Sequence, residues 1–281
     1  MDRNVKAAEP VADENKTTMA KALPKRPPLT HFLCIPLVTA ASRVQLSASL
    51  ASFRREVVSA NEKCFRVPDG AVRPLGTLHL TLGVMSLQEE GKLEEAVELL
   101  KGLRMSEILD EVRKEEAERA KAAAGLVGLD PQIGKEVADE VAEGSLSVAL
   151  RGLRSMQKSS QATTLYAPPV DPRNHLRPFC ERLRAQFLDA GLIVNDKRPL
   201  LLHATVVNTI YVKDKGAKSK GRRKALTLDA ENLLDRYENF VWLEKFVIDS
   251  VAICKMGAKT AVGEDGEEIG AAYEVVAEVE I

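Results

Sequence analysis

Two histidines in this chain are each followed two positions later by a threonine, and each pair sits inside an apolar run. His79 and Thr81 lie in Leu78-His79-Leu80-Thr81-Leu82, and His203 and Thr205 in Leu202-His203-Ala204-Thr205-Val206. The chain holds four histidines, the others being His31 and His175, so two near-identical settings among four are a pattern and not scatter. One such motif by itself reads equally well as a core histidine with a satisfied ring; the repetition favours chemistry. An imidazole of ordinary pKa, about 6.5, exists in either protonation state near neutrality, so a facing pair can serve as general base and general acid. Phosphodiester cleavage needs such a pair, one group taking the proton of the attacking oxygen and the other giving a proton to the departing one. Hydroxyls of Thr81 and Thr205 can donate to the non-bridging phosphate oxygens, where negative charge sits in the transition state. Neither a metal nor a cofactor is called for by this scheme.

Strands are the elements that present such groups. Arg198–Tyr211 is apolar and β-branched almost without a break and bounded by Pro199, so it reads as a strand packed on both faces. Side chains alternate along a strand, which puts His203 and Thr205 on one face about 6.6 Å apart at roughly 3.3 Å per residue. The run Gly76–Leu87 does the same for His79 and Thr81. Which histidine is base and which is acid stays open, because the motifs are near-symmetric.

Two H-x-T motifs, one in each half, resemble the 2H phosphoesterase superfamily of 2′-5′ RNA ligase-like proteins. Within it, the chain is similar to the eukaryotic branch shared by an A-kinase anchor protein domain and by subunit 1 of the activating signal cointegrator complex. The likeness rests on Thr30-His31-Phe32-Leu33-Cys34-Ile35-Pro36-Leu37, the two motifs, Thr164-Leu165-Tyr166-Ala167 and the continuation of the second motif to Asn208. It implies an α+β, pseudo-twofold bilobal fold of two antiparallel sheets with flanking helices and a pocket between the lobes. It implies His79 and His203 as the acid–base pair, Thr81 and Thr205 as phosphate ligands, and RNA ends or nucleotides as substrates.

Composition sets the remaining bounds. Forty basic against forty-one acidic residues give a formal net charge of −1, so any nucleic-acid contact is a local patch. Cys34, Cys64, Cys180 and Cys254 are scattered without C-x-x-C spacing, which argues against a zinc site or a disulfide framework. No apolar run approaches the roughly 18 residues that span a bilayer. An intracellular, soluble protein of nucleus and cytoplasm is expected.

Along the chain, 1–28 is polar, charged and proline-terminated, and reads as a disordered tail before a domain at 29–281. Thr30–Leu37 is the first strand, with His31 read as a strand-end surface residue. Leu46, Leu50, Phe53 and Val57 predict a helix from an N-cap at Ser42 to Asn61, and Leu93–Leu103 a second opening after Gly91. Residues 105–144, rich in Glu, Lys and Ala, read as an exposed helical insertion, in which Gly125-Leu126-Val127-Gly128 is a turn and not an RNA-binding loop.

Leu146–Leu153 and Ala162–Ala167 are the next strands, and Leu176–Leu188 the third helix, with His175 solvent-facing at its start. Tyr166 and Tyr211 are candidate base or backbone contacts, a packing role being the alternative for Tyr166. The run Lys213–Lys224 is the one dense basic stretch and reads as an RNA-phosphate loop, an import signal or a solvated loop. A helix at Leu228–Tyr237 and strands at Phe246–Cys254 and Ala272–Ile281 close the domain. Besides an enzyme, the same residues fit a nucleotide- or RNA-binding module without turnover, or a subunit of a nuclear coactivator or repair complex. No kinase-anchoring helix and no preceding KH domain are expected.

Overall fold

The structure, a computed structural model, describes residues 27–58, 65–127, 130, 132–133, 135–136, 139, 145–212, 226–262 and 268–281. In chain order the first part holds β1 (His31–Pro36), α1 (Arg43–Val58), β2 (His79–Met85), α2 (Lys92–Gly102) and α3 (Met105–Leu126). Then follow β3 (Ser147–Arg151), β4 (Arg154–Ser155), β5 (Thr164–Ala167), β6 (Pro169–Val170), α4 (Leu176–Asp189) and β7 (Ala204–Asn208). The last part holds α5 (Glu231–Arg236), β8 (Val241–Val247), β9 (Ser250–Lys255), β10 (Lys259–Val262), β11 (Glu268–Ala272) and β12 (Val275–Glu280).

Helices beside antiparallel sheets make this an α+β fold. One sheet has the order β12-β9-β1-β2-β7-β5-β4, a second β6-β3-β8, and β10 pairs with β11. The first is a single seven-stranded sheet that carries both motif strands side by side: β2 meets β7 at the one register pair Leu80↔Ala204. The helices stitch the parts together, α4 packing on β2 and α3, and α1 on β8. Leu46, Leu50, Phe53 and Val57 recur every three or four residues on α1 and are its buried stripe. Phe53 meets Tyr237 and Trp242 edge-on at 4.9 and 5.0 Å, while Tyr237 donates its hydroxyl to Glu56 Oε2 at 2.6 Å. Gly91 at φ 79° opens α2, a left-handed conformation that favours glycine.

Several expectations are corrected here. Only Ala204–Asn208 of the long 198–211 run pairs as a strand; Arg198–His203 approaches it unpaired, and Thr209–Tyr211 turns away as a 3₁₀ helix fixed by Asn208 Oδ1 accepting the Ile210 N–H. The strand expected at Phe246–Cys254 is two, β8 and β9, broken at Ile248–Asp249. Ser42 precedes α1, yet its hydroxyl donates to Leu37 O at 2.6 Å and accepts from Thr39 N–H, tying the helix to the strand before it.

Helix α3 is not free of the core: Met105, Leu109 and Val112 are buried along one side. Gly125 and Leu126 are its last residues and Val127 turns out of it. His31 is 6% exposed because β1 is flanked by β2 and β9, and His175 is 1% exposed at the start of α4, so neither is a surface histidine. The basic run 213–224, Gly128 and nearly all of the expected tail lie outside the described residues.

Candidate active site

The Leu80↔Ala204 pair sets the site. Both side chains point into the core, at 0% and 1% exposure, so by strand alternation their neighbours point the other way. Counting one residue to either side of an antiparallel pair puts His79 across from Thr205 and Thr81 across from His203. Directly opposed residues have Cβ atoms about 4.5–5.5 Å apart. All four candidates therefore share one half-buried face where β2 meets β7.

Each imidazole is held by the same local device. His79 Nδ1 lies 2.8 Å from Thr77 O, and His203 Nδ1 lies 2.7 Å from Leu201 O, in both cases the carbonyl two residues back. A carbonyl only accepts, so Nδ1 carries the proton and Nε2 is left with its lone pair in the neutral ring. At His79 that lone pair accepts the Thr81 hydroxyl, with Nε2 to Oγ1 at 3.0 Å.

Burial pushes the His79 pKa down to about 4, opposed by the Thr77 carbonyl and helped by the charges of His203 and Arg73. His203 is also lowered, again by burial against the pull of the Leu201 carbonyl. The charges of His203 and Arg73 both act on His79, beside the face that the β2–β7 register builds.

Aromatic side chains wall it. Phe32 stacks on His79 with ring centres 4.7 Å apart, and Tyr273 meets both edge-on, at 4.9 Å from Phe32 and 5.3 Å from His79. Tyr166 pairs with Thr205 in the β5–β7 register, is 8% exposed, and meets His203 edge-on at 5.6 Å, which is the packing alternative for that residue. Tyr211 is 47% exposed and carries the Arg73 guanidinium over its ring at 3.7 Å. Behind Phe32 the thiols of Cys34 and Cys254, far apart in sequence, lie 3.8 Å from each other on neighbouring strands.

Phe32, Arg73 and Tyr273 are therefore site residues that the motifs did not announce. Phe32 had one signal, its place in the strand segment carrying the family likeness. Arg73 and Tyr273 arrive through long-range pairing: Arg73 N donates to Val206 O at 2.8 Å, and Tyr273 lies between β11 and β12. Among the described residues no three or more His, Cys, Asp or Glu side chains gather as metal ligands, and no helix is long and apolar enough to cross a membrane.

Comparison with known proteins decides the family. The model of the AKAP7 2′5′ RNA ligase-like domain matches residues 29–280. The chain belongs to this 2H phosphoesterase family. Among relatives of this AKAP7-like protein, an uncharacterized protein of Schizosaccharomyces pombe is 33% identical over 132 residues, 47% of this chain and 57% of its own. Activating signal cointegrator 1 complex subunit 1 of Mus musculus is 26% identical over 220 residues, 77% of this chain and 52% of its own. The chain thus spans about half the length of these curated relatives. Solved structures similar to this AKAP7-like fold include a phosphoesterase and E. coli LigT complexed with 3′-AMP. Each shows a TM-score of 0.46 at 15% identity, covering 90% of this chain and 98% of the other.

Proposed function

We propose that this protein is a phosphodiesterase acting on RNA ends or nucleotides, at a 2′,3′-cyclic phosphodiester or a 2′-5′ linkage, by two-histidine acid–base catalysis. The observation that carries the reading is the matched pair of Nδ1–carbonyl bonds at His79 and His203, which leaves two Nε2 atoms for proton transfer on one face.

For a cyclic phosphate, a water oxygen attacks phosphorus while one Nε2 takes its proton. The bond from phosphorus to the 2′ or 3′ oxygen breaks, and the other histidine, protonated at the start, gives its proton to that oxygen. The products are a phosphate monoester and a free ribose hydroxyl, and solvent exchange returns the two rings to their starting states. Thr81 and Thr205 supply hydroxyl donors to the non-bridging oxygens. At His79 the two functions are linked: once Nε2 is protonated it no longer accepts, and the Thr81 hydroxyl bound to it at 3.0 Å is released to donate to phosphate. Protons are thus moved and charge is stabilised by side chains alone.

A second reading is favoured by the likeness to activating signal cointegrator 1 complex subunit 1: a nucleotide-binding subunit of a nuclear complex, present in nucleus and cytoplasm. Hydrolysis of 2′,3′-cyclic-phosphate oligonucleotides and 2′-5′ oligoadenylates in EDTA separates the two. Turnover supports the enzyme; nucleotide binding without turnover selects the subunit.

A further inference from the structure

Arg73 is 7% exposed, and no carboxylate among the described residues pairs with it. Several other guanidinium groups find acids: Arg54 reaches Asp69 at 2.8 Å and Arg236 reaches Glu56 at 3.0 Å, both from more exposed positions. A buried charge without a counter-ion is costly, and structures normally pair it. The contacts of Arg73 are with aromatics: its guanidinium lies 3.7 Å over the Tyr211 ring and acts on the neighbouring Tyr273 hydroxyl, opposing the burial that raises its pKa. Both orient a planar fork and neither neutralises it.

The same segment is pinned to the second motif strand, through Arg73 N to Val206 O at 2.8 Å and the bridge Val72↔Val207. Tyr273 in turn packs edge-on against His79 at 5.3 Å, and the positive charge of Arg73 is felt by that ring. A cation fixed between both motifs, sealed from bulk water and lacking an acid, is arranged for an anion that arrives with the substrate.

We propose that Arg73 is the phosphate anchor of this cleft, its guanidinium donating two N–H groups to oxygens of the phosphate set between His79 and His203. The assignment rests on the phosphodiesterase reading for the identity of the anion. It also gives Tyr211 and Tyr273 a purpose: they hold the fork in position, so that little ordering is left to do on binding.

Calorimetry with inorganic phosphate, and turnover of adenosine 2′,3′-cyclic phosphate, are to be measured on wild type, Arg73→Met and Arg73→Lys. Arg73→Met is expected to weaken phosphate binding at least tenfold and raise KM for the cyclic nucleotide by a similar factor, with Arg73→Lys intermediate. Affinity for adenosine, which lacks the phosphate, stays unchanged. Phosphate binding equal to wild type in a folded Arg73→Met overturns the anchor. If Arg73→Met does not fold, the arginine Nε–H NMR signal that disappears in Arg73→Lys identifies Arg73; a shift of that signal in wild type on adding phosphate supports the anchor, and no shift overturns it. Wild-type turnover with no loss in Arg73→Met sinks the anchor and leaves the phosphodiesterase reading standing. Phosphate binding through Arg73 with no turnover of any phosphodiester sinks the phosphodiesterase reading and leaves the anchor.

Discussion

Leu80 stands across from Ala204 where β2 meets β7, and this one register pair aligns the two H-x-T motifs. The pair is sealed in the core, so its geometry depends on packing. Ala204→Leu adds volume at a position 1% exposed, facing a leucine that is 0% exposed. Overpacking of this kind costs about 1–3 kcal/mol. The variant is expected to lose that much stability in urea titration and to drop at least tenfold in kcat/KM, because parting the strands moves His79 away from His203. Wild-type activity in a destabilised variant would show that the site does not depend on this junction.

The proton chemistry predicts an acidic optimum. With one histidine neutral and the other charged, kcat/KM of the free enzyme peaks between the two pKa values. His79 sits at about 4, and His203 lies below 6.5. Activity is expected to rise as pH increases through about 4 and to fall before pH 6.5 is reached. A pH–rate profile for a cyclic nucleotide checks this, and an optimum above pH 6.5 contradicts it.

The same shift makes a prediction for folding. The unfolded His79 takes up its proton near its ordinary value of 6.5, the folded one only at about 4, so between those values the unfolded state binds more protons. Stability from keeping this ring neutral is fully present above pH 6.5 and is lost as pH falls toward about 4. Thermal melting of His79→Gln is expected to fall less steeply than wild type between pH 7 and pH 4.5. His31, His175 and His203 are lowered too and stay common to both proteins.

Gly83 on β2 has a steric reason to be glycine. A Cβ there would lie 2.3 Å from Ile193 Cδ1 and 2.8 Å from its Cγ1, and Ile193 is held by its bridge to Met85. Gly83→Ala is expected to cost about 1–3 kcal/mol. Ile193→Val deletes the nearest atom, so the double variant recovers part of the loss; strict additivity of the two substitutions would refute the contact.

The part of this site that was legible in the sequence is the part that is local. Alternation along a strand places His79 with Thr81 and His203 with Thr205, and the helical spacing of Leu46, Leu50, Phe53 and Val57 describes α1 closely. What stayed hidden depends on pairing between distant segments. His31 looks like a strand-end surface residue until β9 covers the far side of β1, and Arg73 is an ordinary loop residue until it pairs with Val206. The long apolar run before Asn208 misled because burial and strand pairing look alike in sequence. Leu200 and Leu202 are buried without belonging to a ladder. Likewise the break between β8 and β9 is only Ile248–Asp249, and Asp249 with Ser250 is too short a polar signal, with no Gly or Pro, to interrupt the apolar run around it.

Thr81 and Thr205 are expected to act on charge and not on protons. Substituting either by valine keeps the shape and removes the donor, and the expected loss is about 10²–10³-fold in kcat. The pH profile should keep its limbs, which distinguishes these variants from loss of a histidine. A threonine variant with unchanged kcat contradicts the role.

The most direct test of the central claim is hydrolysis of a panel of 2′,3′-cyclic-phosphate oligonucleotides and 2′-5′ oligoadenylates in EDTA, comparing wild type with His79→Ala, His203→Ala and the double variant. Each proton-transfer role is worth about 10²–10⁴-fold. Turnover by wild type, reduced by at least 10²-fold in each single variant whose fold is retained, is the predicted result. Full activity in either single variant, or no turnover of any member of the panel by wild type, contradicts two-histidine catalysis in this protein.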